Sequence, residues 1–157
     1  MKQLACLGSA LVLATTLILG GTLVLATPAA ARDTVYHLKV ADVKSDPRYS
    51  GAVPANVAFY FGNQQPPATA TVVEDGYFNN MKTNNFNKPD EDACRWVMLS
   101  ALKDLGDQAL KEGGNAVINI VSYYKKTVFA SDTDYECHAG SFVAGVALKG
   151  TIVKLPK

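Results

Sequence analysis

Equipment for chemistry is scarce in this chain: 157 residues hold 2 histidines, 3 cysteines and 1 tryptophan. No Gly-x-Ser-x-Gly segment presents a serine nucleophile on a strand-to-helix turn, and no Cys-x-x-Cys pair supplies the low-pKa thiolate of a redox enzyme. Nucleophilic catalysis and thiol exchange therefore have no motif. Charge excess is missing as well, because 15 Lys and Arg face 14 Asp and Glu, and setting aside Lys2 leaves 15 − 1 = 14 against 14. Without a basic surplus there is no electrostatic footprint for nucleic acid or for an anionic membrane surface. The only basic doublet is Lys125-Lys126. Internal repeats are absent too.

What is present begins with a leader. No charged residue occurs from Leu4 to Ala26, and the run ends in Pro28-Ala29-Ala30-Ala31-Arg32. A short basic start, an apolar centre and small residues before a cleavage point describe a secretory signal peptide over residues 1–31, cut at Ala31-Arg32. The same run is long enough to span a bilayer as an uncleaved anchor, although Gly20-Gly21-Thr22 interrupts it. Cys6 precedes most of the apolar stretch, whereas a lipidated cysteine follows it, so Cys6 leaves with the leader. The expectation is a periplasmic or secreted protein with no membrane attachment after cleavage. Its 157 − 31 = 126 residues, 32–157, suit one domain that buries its own core.

Hydrophobic patterning outlines that domain. Residues 34–40 alternate, with Tyr36, Leu38 and Val40 on the apolar face of a strand. Residues 42–54, with Pro47, Gly51 and Pro54, read as a loop, and 57–61 as a short aromatic strand. A moderate strand signal covers 69–73; the asparagine-rich 76–87 resists assignment beyond a hydrogen-bonded loop leading to a helix, with glycan recognition as the functional alternative. The clearest element is a helix over 90–111, where Pro89 and Asp90, Glu91 and Asp92 suit the N-terminus. Cys94, Val97, Met98, Ala101, Leu102, Leu105 and Ala109 recur at three- and four-residue steps and form one stripe, while Lys103, Asp104 and Asp107 fall mostly off it and should face water. Gly113-Gly114 ends the helix. A central strand over 115–124, a polar loop over 127–134 and a strand over 140–153, bent near Gly145 or Gly150, complete the chain. This order predicts an α+β fold, a two-layer sandwich with one long helix packed on a mainly antiparallel sheet.

Three groups of residues are candidate sites. Cys94 on the helix stripe and Cys137 ahead of the last strand form an even pair in an oxidising compartment, either as a disulfide of helix to sheet or as two buried thiols. Closing a loop of about forty residues contributes roughly 3–4 kcal/mol in the chain-entropy model. Glu136 and His138 share one side of an extended strand and are the metal-capable pair, without a second pair at ligand spacing. Tyr123, Tyr124, Lys125 and Lys126 form an aromatic and basic corner, a surface for a protein partner or small ligand, beside acidic Asp132, Asp134 and Glu136.

Several segments carry a resemblance: Thr83-Asn84-Asn85-Phe86-Asn87-Lys88, Gly113-Gly114-Asn115-Ala116-Val117-Ile118-Asn119-Ile120, Tyr135-Glu136-Cys137-His138-Ala139-Gly140 and Ala144-Gly145-Val146-Ala147-Leu148-Lys149-Gly150. Across residues 34–155 the chain resembles a family of small exported bacterial proteins often called "excinuclease ATPase subunit". That name implies a glycine-rich phosphate loop with its lysine, and the chain has none. At the level of the fold it is similar to the YbjQ-like heavy-metal-binding proteins and to the Rcs stress-sensor lipoprotein domain, in which disulfides join helix and loop to strands. With fewer cysteines and no lipidated one, neither anchoring nor an Rcs-like partner carries over. The resulting expectation is a non-enzymatic binding, envelope-sensing or structural module without cofactor. A YbjQ-like metal binder and a small periplasmic enzyme are the alternatives.

Overall fold

The computed structural model describes residues 31–156. The leader expected over 1–31, Cys6 within it and the possible anchor lie outside the described residues, apart from Ala31. Strand β1 (Thr34–Lys39) opens the fold, followed by the short helices α1 (Val40–Lys44) and α2 (Tyr49–Ala52), then β2 (Ala58–Phe61) and β3 (Thr71–Asn84). Helix α3 (Asp90–Lys111) leads to β4 (Ala116–Ser122), a 3-10 turn (Tyr124–Lys126), β5 (Asp134–Ala139) and β6 (Val143–Lys154).

The organising strand is β6. Along its whole length one edge pairs antiparallel with β3, from Asn84 opposite Val143 to Thr71 opposite Lys154. The other edge is shared, since β5 meets Ala144 and Gly145 while β4 takes Leu148 to Val153. Beyond them β1 adds antiparallel to β5, and β2 adds to β4 in the one parallel pairing among the described strands. Two strands attached in series to one edge make the six-stranded sheet fork and curl. In β4 the register slips between Ile118 and Val121, and Asn119 at φ 52° absorbs the slip. Asparagine is among the residues that visit this left-handed region most cheaply.

Helix α3 covers the concave side. The stripe read from spacing is the buried face: Cys94, Val97, Met98, Ala101, Leu102, Leu105 and Ala109 have no exposed surface. They pack in one core with Ala144, Val146, Leu148 and Ile152 of β6. Removing the buried Leu102 side chain would cost about 2–5 kcal/mol, because its neighbours close a cavity only partly. Gly150 belongs to this face, and there a Cβ would lie 2.7 Å from Val117 Cγ1. The helix ends at Gly113, whose φ of 80° suits a residue without a side chain.

Four expectations need correction. The loop expected over 42–54 overlaps the end of α1 and holds all of α2, and both helices contact α3, with Val43 fully buried. The strand signal at 69–73 and the unassigned 76–87 are one strand of 14 residues, β3. Asp104 does not simply face water; it accepts hydrogen bonds from Tyr77 Oη and Asn79 Nδ2, both at 3.0 Å. Burial and then Asp104 push the Tyr77 hydroxyl up to about 12. Finally, the segment ahead of the last strand that carries Cys137 is a separate strand of the sheet, β5, which the expected element order lacked.

The cysteines are joined. Cys94 of α3 and Cys137 of β5 form a disulfide with Cα atoms 5.8 Å apart, closing a sequence separation of 43 residues. Helix and sheet are thus tied covalently through the core. No helix among the described residues is long and apolar enough to cross a membrane.

Candidate functional site

Alternation along β5 sends Tyr135, Cys137 and Ala139 into the core and Asp134, Glu136 and His138 onto the opposite, open face of the sheet. Pairing then sets a row across four strands: Val35 of β1, His138 of β5, Gly145 of β6 and Lys82 of β3. Above Gly145 this row opens into a cleft of about 510 Å³.

The His138 ring is caged. Its Nδ1 lies 2.8 Å from Asp33 Oδ1 and its Nε2 lies 2.8 Å from Glu136 Oε1, while the Tyr124 ring stacks on it at a centroid distance of 3.5 Å. The chain of polar groups extends at both ends. Lys125 Nζ lies 3.3 Å from Asp33 Oδ2, and His37 Nε2 lies 3.6 Å from Glu136 Oε2, with the His37 ring stacked on Phe129. The His138 hydrogen bond holds the Asp33 carboxyl below its usual range, with Lys125 adding to the effect against partial burial.

Two local devices position these groups. Arg32 Nη2 reaches both Asp90 oxygens at 2.6 Å and donates to the Gly140 carbonyl at 3.1 Å, pinning the segment ahead of β1 to the start of α3. Tyr36 Oη and Asn85 Nδ2 donate to the same Asp90, and these contacts, Asn85 first, hold its carboxyl low. Asp33, next along the pinned segment, is thereby laid across β5 beside His138. On the far side, the turn after β4 places Lys125 at φ 50° and Lys126 at φ 65°. A left-handed lysine costs about 1–2 kcal/mol, and this turn aims Lys125 at Asp33.

Gly145 is the second feature of the cleft. A Cβ there would approach nothing closer than Met81 O at 3.5 Å, an ordinary contact, and its φ is not left-handed. Nor is it a bend, since β6 keeps register with β3 from Val143 to Gly150. Glycine within a strand costs roughly 0.5–1 kcal/mol against alanine, and at this position neither packing nor backbone geometry requires it. A side chain would project into the cleft.

Of the residues singled out in the sequence, Glu136 and His138 do share a face and bond to each other, and Tyr124 and Lys125 join them. Two separate sequence candidates are one site. Tyr123 and Lys126 are not part of it: Tyr123 packs edge-on against Phe78 and beneath Lys149. Cys137 lies behind the site, in the core. Arg32, Asp33, Lys82 and Gly145 carried no sequence signal of their own, beyond a glycine in mid-strand, which also marks places where a ligand approaches closely. Among the described residues no three His, Cys, Asp or Glu side chains are grouped as metal ligands. No family model, curated protein or solved structure matches the chain.

Proposed function

We propose that the chain is an exported, non-enzymatic binding module of two-layer α+β architecture, its ligand seated on the open face of the sheet and its core fastened by one disulfide. The observation that carries this reading is the cleft over Gly145, where caged polar groups surround a floor with no side chain. Binding is favoured over catalysis because both nitrogens of His138 are engaged by carboxylates, leaving neither as a free base. Those same bonds occupy the pair that a YbjQ-like metal site would need. Export is supported by the Cys94–Cys137 bond, which persists in oxidising compartments. A module of this kind accords with the likeness to small exported proteins, and the excinuclease name inherited by that family describes nothing in this sequence. Mass spectrometry of the protein purified from its native compartment tests the reading. A chain starting at Arg32, no free thiol and a retained small molecule are expected; free thiols would defeat the exported reading, and a retained metal ion would replace it with the metal-binding one.

A further inference from the structure

We infer that the cleft over Gly145 binds the oxyanion group of a small molecule, a carboxylate or a phosphate, with Lys82 as its principal charged contact. This rests on the binding reading above and specifies the chemistry of the ligand. The walls carry three fixed cations, Arg32, Lys82 and Lys125, against the single carboxylate of Asp33. Their commitments differ. Arg32 is spent on Asp90, and Lys125 on Asp33. Lys82 has no ion-pair or hydrogen-bond partner among the described residues, although it stands in register with Gly145, across from His138.

The acceptors point the same way. Asp33 already receives His138 on one oxygen and Lys125 on the other, and Glu136 is turned to His138 and His37. A cationic ligand would find these carboxylates occupied, whereas an anionic one meets a free ammonium. Gly145 supplies the room. Gly150, the next glycine of β6, is forced by the packing of Val117, but Gly145 is forced by nothing in the fold. A volume of about 510 Å³ lies in the range of small-molecule sites. Tyr124, stacked on His138, and the exposed Val143 give the walls an apolar share for the rest of such a molecule.

Titration with citrate, inorganic phosphate and uncharged glycerol, followed by amide NMR at low ionic strength, tests the site and separates the two oxyanion sources. Saturable shifts around Gly145 and Lys82 with citrate or phosphate, and none with glycerol, are expected. Lys82→Gln should weaken that binding on the order of tenfold by removing one charge-assisted hydrogen bond. Gly145→Val should abolish it while the melting temperature holds or rises, and Lys154→Gln, at the far end of β6, should leave it unchanged. If Gly145→Val fails to fold, Lys82→Gln decides alone. Wild-type affinity in Lys82→Gln, or no saturable shift with either anion, overturns the inference. A neutral retained ligand found by mass spectrometry would overturn the oxyanion alone and leave the binding module standing; failure of both experiments removes both.

Discussion

The two faces of the sheet meet in β5, where consecutive residues obey opposite rules. Inward, Tyr135, Cys137 and Ala139 are buried against α3 and held by a covalent bond; outward, Glu136 and His138 keep 17% and 12% of their side chains exposed and are held by hydrogen bonds. Burial gives the inner face its energy, because apolar area leaves water there and the disulfide restricts the unfolded chain. The outer face draws on ion pairs and hydrogen bonds, whose attraction is offset by the cost of taking charged groups out of water.

The sharpest way to break this contrast is to cut the staple. Replacing Cys94 and Cys137 together with alanine should lower the free energy of unfolding by about 4 kcal/mol, read by urea denaturation. A loss comparable to that of an exposed ion pair would mean that the inner face does not depend on the bond. Next come the two glycines of β6. Gly150→Ala places a methyl group 2.7 Å from Val117 Cγ1, for a cost of about 1–3 kcal/mol, while Gly145→Ala should gain roughly 0.5–1 kcal/mol. Equal signs in thermal melts would erase the distinction between the faces. His138→Gln, which strips a partner from Asp33 and from the largely buried Glu136, should lower stability by about 1–3 kcal/mol; no measurable loss would mean that the outer cage is not part of the fold.

Acid gives the smallest and most selective effect. Asp90 and Asp33 have folded carboxyls below the ordinary value of 3.8, so their contribution is complete above that value and is lost as pH falls through the lowered ones. Asp90, with 14% of its side chain exposed, should contribute more than Asp33, with 40% exposed. Melting temperatures taken from about pH 6 down to about pH 2 should therefore fall less steeply in Asp90→Asn than in Asp33→Asn. The reverse order would mean that the cage, rather than the clamp at the start of α3, responds to acid.

Helix α3 was legible because its apolar positions repeat every three to four residues over 22 residues, a pattern only a helix brings to one side. Strand β3 was not legible. Its inward positions include Asn79, a polar residue buried by hydrogen bonds to Ala101 O and Asp104, so the alternation that marks a strand is broken where the strand is real. Helices α1 and α2 escaped notice because Pro47, Gly51 and Pro54 punctuate them and helices of 5 and 4 residues depend on tertiary contact. Half of the site was readable as two separate clusters. The other half was hidden in distance, since Asp33 and His138 stand 105 residues apart and no local pattern links them.

The shared edge of β6 bears on how the molecule is made. Strands β3, β4 and β5 share one sheet only by pairing with β6, and β6 is the last of the described strands. A chain delivered from its N-terminus therefore has no complete sheet to close until its final strand arrives, and its non-local pairings form slowly once it does.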